Sequence, residues 1–198
     1  MRAKIISGDD PSLAGSLSSL LDKGGVLIFP TDTVFGLGGD PYSGRAVRMV
    51  RTIKCRPMGQ PFSLHLSNIG AVERFARLDQ RTRLDLSRFL PGPYTFILPA
   101  TAAAPPAVVQ SGKVGVRVPD HPFFNRLPAG VGRPLFGTSV NRSGEPPALT
   151  LDEVIEHFAG KVDLIVTGKA GTGRPSSVID LTLTPPRALR GKLPMGLR

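Results

Sequence analysis

The chain has 198 residues, enough for one domain with a substantial core, and its 40% hydrophobic against 20% charged composition excludes a disordered chain. A formal net charge of +10 attracts polyanions, and 18 of the 25 basic residues are arginine, the side chain suited to bidentate contact with phosphate or carboxylate. The single cysteine, Cys55, excludes an internal disulfide and a cysteine-rich zinc site; with no signal-peptide core in "MRAKIISGDD" and no apolar run near the roughly 18 residues of a membrane helix, the chain reads as cytosolic.

With 23 Gly and 20 Pro, the elements should be short and their connections stiff. Leu13, Leu17, Leu20 and Leu21 at helical spacing predict a helix over 11–23, stopped by Gly24 and Gly25. "GVLIF" predicts a buried strand ending at Pro30, and there "FPTDTVFGLGGD" sets Thr31, Asp32 and Thr33 between aliphatic residues and glycines. A polar knot at the C-terminal end of a strand is where open α/β sheets bind ligands. Ala46, Met49, Val50 and Ile53 mark one stripe of a helix over 44–53, with Arg45, Arg48 and Arg51 as a solvated basic face. "PFSLHL" alternates Phe62, Leu64 and Leu66 with Ser63 and His65, which predicts a strand whose His65 points away from the core. Helices follow near 68–76 and 79–89, ended by Pro91–Pro93.

"YTFIL" and "VGVRV" predict strands, the second placing Arg117 on the face of Gly115 with room for a ligand beside it. "LFGTS" is a further strand, "TLDE" has capping-box spacing for a helix to about Phe158, and "VDLIV" and "SVIDL" complete six or seven strands. The order implies a mixed α/β (α+β) sheet flanked by helices, read as one domain over 1–198.

Three polar pairs, Thr31/Thr33, Lys54/Arg56 and Ser139/Asn141, are each separated by one residue, and in extended backbone each pair projects to one side. Pro57 favours extended backbone at Arg56, so Lys54 and Arg56 should converge on a phosphate chain or a small anion such as bicarbonate, while Cys55 turns away to pack against the fold. An exposed basic loop is the plainer reading of the same tripeptide. "SVNRSG" either positions a ligand or makes an Asx turn. "GKAGTGRPSSVID" lacks the P-loop pattern and leads into a strand, leaving its backbone amides, Ser176 and Ser177 as candidates for ligand contact. His65, His121 and His157 have no metal-ligand spacing, no G-x-S-x-G elbow is present, and His121 and His157 read as structural.

In their order, "PTDTVFGLG", "KCRP" with "PFSLHL", "PGPYTFIL", "VGVRVPDHP", "TSVNRSG" and "SSVIDL" resemble the YrdC-like family, the threonylcarbamoyl-AMP synthases, from about Gly25 to Arg190. The chain is similar to the short, single-domain form. The resemblance implies a twisted open mixed sheet with a basic concave cleft. It also implies synthesis of L-threonylcarbamoyladenylate and pyrophosphate from L-threonine, bicarbonate and ATP, with Mg2+ arriving on the nucleotide, for the t6A modification of tRNA. Carried over by motif, Thr33, His65, Arg117, Ser139 and Ser177 would surround threonine; Lys54 and Arg56 would hold bicarbonate or phosphate oxygens; Arg56, Gln60, Asn141 and Arg190 would contact ATP. Asp32 is the nearest candidate for a general base, or ties the loop to its own amides. Phe35 stands where the family has tyrosine, Gln60 where it has asparagine, and Val140 where it has alanine.

Two other readings share these motifs. A non-catalytic YrdC-like protein would bind tRNA or double-stranded RNA through its charge, and a carbamoyl-transfer domain would belong to a larger enzyme whose acylphosphatase and zinc-finger-like segments are missing here. The synthase reading further implies a downstream threonylcarbamoyl transferase as a partner.

Overall fold

The computed structural model describes residues 2–57, 59–125 and 131–197. In chain order the elements are β1 (Lys4–Ser7), α1 (Leu13–Asp22), β2 (Val26–Phe29), β3 (Gly36–Gly39), α2 (Gly44–Lys54), β4 (Ser63–His65), α3 (Val72–Phe75) and α4 (Gln80–Phe89). Then come β5 (Tyr94–Pro99), β6 (Val109–Gln110), β7 (Lys113–Arg117), β8 (Leu135–Ser139), α5 (Leu151–Phe158), β9 (Leu164–Thr167), β10 (Ser177–Asp180) and β11 (Arg187–Arg190). All eleven strands join one sheet, ordered β1-β9-β2-β3-β8-β4-β7-β5-β10-β11, with β6 paired to β7. It combines parallel pairs (β1/β9, β2/β9, β4/β7, β5/β10) with antiparallel pairs (β2/β3, β3/β8, β4/β8, β5/β7, β6/β7, β10/β11), which is the mixed sheet expected. No helix among the described residues is long and apolar enough to cross a membrane.

The helices start where their caps dictate. Ser43 Oγ accepts the Ala46 N–H at the head of α2, Asp79 accepts the Thr82 N–H at the head of α4, and Thr150 and Glu153 form a reciprocal capping box on α5. α2 closes on Cys55, a non-glycine residue in left-handed backbone at φ 51°. "KCR" is therefore a helix end rather than an extended run, and Cys55 is exposed rather than packed.

Both faces of the sheet are covered, but unequally. One carries the main core: Ile28, Leu37, Leu64, Phe96, Val116, Phe136 and Ile179 against α2 (Ala46, Val50), α4 (Leu86) and α5 (Val154, Phe158). The other carries a smaller cluster at the β1-β9-β2 end, where Leu17 and Leu21 of α1 pack with Leu27, Phe29, Phe124, Leu135 and Val166. Beyond that cluster the second face changes character. Gly137 of β8 lies opposite Ser63 of β4, which lies opposite Gly115 of β7, so three adjacent strands present almost no side chain. A depression forms over this row of small residues.

Strands β1, β3, β6 and β11 exceed the expected set, and the expected helix over 68–76 is only Val72–Phe75. "GLGG" pairs on both edges, Gly36–Gly39 with Phe29–Val26 and with Ser139–Phe136, although glycine is a poor strand former. The reason is steric: a Cβ on Gly38 would lie 1.8 Å from the Phe136 carbonyl oxygen, and one on Gly36 would lie 2.3 Å from the Phe29 ring.

Candidate functional site

The depression is a cavity of about 640 Å³. Its floor is the small-residue row, and strand alternation raises a wall on either side, with His65 and Arg117 at one end and Thr95, Val178 and Asp180 at the other. Five cations line it (Lys54, Arg56, Lys113, Arg117 and Arg190) against one carboxylate, Asp180, among the described residues. Asp180 already accepts from Lys113 Nζ at 3.1 Å and from Thr182. Burial pushes the pKa values of Arg56 and Arg117 below the usual arginine range; repulsion from Arg51 and Arg190 adds to this at Arg56, while at Arg117 the neighbouring Asp32 opposes it and Arg190 adds to it. A polyanion entering the cavity would relieve that repulsion.

Of the ten residues expected at the site, Lys54, Arg56, Gln60, His65, Arg117, Ser139, Asn141 and Arg190 line this cavity. Thr33 and Ser177 do not. Thr33 is fully buried behind the wall. Ser177 sits on the opposite face of β10, level with Tyr94, because the pairing register puts Val178 and Asp180 on the cavity side. Its neighbour Ser176 lines the cavity, bonded to Thr95 Oγ1 at 2.9 Å and reached by Arg190.

Lys54, 2% exposed, is a buried ammonium with all three protons engaged: it donates to the Ser139 carbonyl at 2.7 Å, and to the Asn141 carbonyl and Asn141 Oδ1 at 2.8 Å each. Ser139 Oγ–H also donates to Asn141 Oδ1, at 2.6 Å. The lysine at the end of one helix therefore shapes the "SVN" turn, and desolvation pushes its pKa down to about 8. Asn141 is a turn residue too, since its Nδ2 donates to the Arg142 and Glu145 carbonyls. Both sequence readings of Asn141 hold at once.

Arg56 braces the loop after α2, with Nη2 on the Pro61 carbonyl at 2.8 Å and Nη1 on Thr138 Oγ1 at 3.2 Å. Arg51 donates to the Pro57 and Gln60 carbonyls, and both guanidinium groups lie about 5 Å from the Phe62 ring centroid. Arg45 donates to the Lys23 carbonyl. Arg45 and Arg48 are exposed, as the helical pattern suggests, whereas half-buried Arg51 braces the loop.

His65 points away from the main core, as alternation predicts, yet is buried, because its face of the sheet carries the second apolar cluster: the ring packs 5.8 Å from Phe29 and 5.7 Å from Phe124. The Ser63 carbonyl can only accept, so Nδ1 holds the proton and Nε2 is left as an acceptor. Burial, helped by the charge of Arg117, pushes its pKa down to about 3, so the ring is neutral near pH 7.

The polar knot of Thr31, Asp32 and Thr33 is a hydrogen-bonded relay that reaches the cavity through Thr31. Thr31 Oγ1 donates to the Val34 carbonyl, so Thr33 Oγ1 must donate to Thr31 Oγ1 and accept from Arg117 Nη2, at 2.7 Å. Asp32 accepts from the same Nη2 at 2.5 Å; it is the partner of Arg117, not a base facing the cavity. The glycine-rich segment lies over this loop, Gly171, Thr172 and Gly173 donating their amides to the carbonyls of Thr31, Asp32 and Thr33. Those three amides are engaged with protein and face no ligand.

This arrangement can bind a carboxylate at the Arg117–His65 end and phosphates among Arg56, Lys113 and Arg190. Sequence comparison agrees with the geometry. Residues 19–191 match the Sua5/YciO/YrdC family, which carries the description "Telomere recombination". The chain is 35% identical over 167 residues to the threonylcarbamoyl-AMP synthase of Cellvibrio japonicus, covering 83% of this chain and 88% of that protein. With the threonylcarbamoyl-AMP synthase of Pyrococcus abyssi it shares 34% identity over 183 residues, 90% of this chain but 54% of that longer protein. The crystal structure of P. abyssi Sua5 complexed with L-threonine superposes with a TM-score of 0.85 at 30% identity, over 95% of this chain and 57% of that one. E. coli YciO superposes at 0.86 and 28% identity over 95% of both chains. The chain belongs to the Sua5/YciO/YrdC family.

Proposed function

We propose that this protein is a threonylcarbamoyl-AMP synthase, a nucleotidyltransferase that makes L-threonylcarbamoyladenylate and pyrophosphate from L-threonine, bicarbonate and ATP. The observation that carries this reading is that one cavity joins a carboxylate-binding end, Arg117 with neutral His65, to a cluster of cations large enough for a triphosphate. It does so in a family with a member solved in complex with L-threonine.

The threonine amine condenses with bicarbonate to a carbamate, losing water. A carbamate oxygen then attacks the α-phosphorus of ATP, and the α–β phosphoanhydride breaks to release pyrophosphate. The protein's part is to place the two reactants in line and to offset the charge gathering on the phosphates. Arg117 and the acceptor Nε2 of His65 orient the amino acid by its carboxylate and hydroxyl. Lys54 holds the Ser139–Asn141 turn so that Ser139 faces the same space, and Arg56, Lys113 and Arg190 neutralise phosphate oxygens. Mg2+ enters as the nucleotide's counterion; among the described residues no cluster of three His, Cys, Asp or Glu offers it a site of its own. The labile adenylate then passes to a threonylcarbamoyl transferase acting on tRNA, and the surplus positive charge is available to tRNA or double-stranded RNA. A cytoplasmic location fits that role.

The test is pyrophosphate release from ATP that requires both threonine and bicarbonate and falls at least a hundredfold in Lys54→Ala or Arg56→Ala. Threonine-independent turnover overturns the proposal. RNA binding with a steep salt dependence and no turnover would instead support the non-catalytic reading.

A further inference from the structure

Arg117 is the cation expected to meet a carboxylate, yet it already has one inside the chain. The Asp32–Arg117 pair is buried, with side chains 11% and 6% exposed, and Asp32 stands behind the cavity wall rather than on it. The contact is end-on: Nη2 serves both Asp32 Oδ1 and Thr33 Oγ1, while Arg117 Nε and Asp32 Oδ2 are buried with no partner. A pair arranged for stability would use both nitrogens on both oxygens. Here Nη2 and Nε are turned into the protein, which leaves Nη1 as the donor group for a ligand.

The loop behind the arginine has little freedom to adjust. The amides of residues 171–173 bind the carbonyls of Thr31, Asp32 and Thr33 at 2.9, 3.2 and 2.9 Å, and a Cβ on Gly171 would lie 1.9 Å from the Asp32 carbonyl oxygen. The proton order of the Thr31–Thr33 relay keeps Thr33 Oγ1 an acceptor toward Arg117. With Asp32 beside Arg117 and His65 neutral, the Arg117–His65 corner adds almost no net charge of its own, whereas Arg56 and Arg190 add two unpaired positive charges, Arg190 near enough to repel Arg117.

We infer that Asp32 is a positioning residue that fixes Arg117 and cancels its charge, so that this end of the cavity accepts the single carboxylate of an amino acid through directed hydrogen bonds and rejects phosphate. The inference rests on the proposed reading of the site and adds the origin of its selectivity: two anionic substrates sharing one cationic cavity are told apart by one carboxylate set behind the wall.

Calorimetric titration of the full chain with L-threonine and with inorganic phosphate tests it without relying on turnover. Asp32→Asn keeps an acceptor for Nη2 and removes the charge; phosphate should then compete with threonine at least about tenfold more strongly than in the wild type. Asp32→Ala removes the anchor as well, and threonine affinity should fall about tenfold or more while affinity for a non-hydrolysable ATP analogue stays within twofold. In an Arg117→Gln background both substitutions should have no further effect. Wild-type protein that binds no threonine overturns the reading of the site itself. Wild-type protein that binds threonine, with phosphate competition unchanged in Asp32→Asn, overturns the role of Asp32 and leaves the site standing.

Discussion

Gly115→Ala should separate the needs of the fold from those of the cavity. Gly115 lies mid-strand in β7 with φ outside the left-handed region, so alanine fits its backbone. An added Cβ would meet Thr95 Cγ2 at 3.5 Å and Ser63 Oγ at 3.8 Å, both ordinary contacts. Replacing a compatible glycine removes freedom mainly from the unfolded chain and stabilises by about 0.4–1 kcal/mol. At about 2–4 °C per kcal/mol for a chain of this size, Tm should rise by roughly 1–4 °C. The same methyl group projects from the cavity floor between His65 and Arg117 on one side and Ile97 and Asp180 on the other, where the reacting groups must meet. Displacing them by the width of a methyl group should lower kcat/KM for threonine by about tenfold to a hundredfold. Scanning fluorimetry and initial rates of pyrophosphate release measure the two effects on one sample. A fall in Tm of several degrees, or activity within twofold of wild type, refutes the claim that this glycine serves the cavity and not the fold.

Gly137→Ala should behave in the opposite way for stability: its Cβ would lie 2.6 and 2.7 Å from the His65 ring, which Phe29 and Phe124 hold in place. Overpacking of about 1–3 kcal/mol should lower Tm by roughly 2–12 °C on the same scan. His65 should make the protein acid-sensitive. Its pKa of about 3 lies below the value of 6.5 for the unfolded chain, so below pH 6.5 the unfolded state takes up a proton that the native state does not. Stability should then fall by about 1.4 kcal/mol per pH unit from this group as pH drops toward 3, and His65→Gln should remove that slope; parallel urea-unfolding curves for the two proteins between pH 6 and 4 contradict this. Lys54 should give the reverse pairing of effects on the alkaline side. As pH rises through about 8 the folded protein loses this proton and a donor to the Ser139–Asn141 turn, so activity should fall there, and Lys54→Arg should move that limb upward. Between 8 and 10.5 the unfolded chain binds the proton more, so this group's contribution to stability rises over the same range.

Elements with strong periodicity and caps were legible in the sequence: α1, α2, α4, α5 and the apolar strands stand within a few residues of where spacing puts them. β3 was not, because "GLGG" earns its place through backbone approach to Phe136 and Phe29, a tertiary fact that no local pattern carries. The face of His65 was legible but its burial was not, for a related reason: alternation tells which residues share a face, not what covers that face, and here Phe29 and Phe124 cover it. At the site, the family motifs led to eight lining residues, while register decided against Ser177 in favour of Ser176. Lys113, Thr95 and Asp180 carried no signal of their own, since each lies inside an ordinary strand pattern and becomes a wall only when β7, β5 and β10 are set side by side. Asp32 was visible as a charged residue in a conspicuous loop; its partner, 85 positions away, was not.

The most direct measurement follows ATP labelled in the α-phosphate together with isotopically labelled bicarbonate, and separates the products by chromatography with mass detection. The proposed function predicts one pyrophosphate released for each threonylcarbamoyladenylate formed, with label from both sources in the adenylate and no turnover when either threonine or bicarbonate is left out. Pyrophosphate or AMP appearing at the same rate without threonine, or an adenylate lacking the bicarbonate carbon, would contradict it.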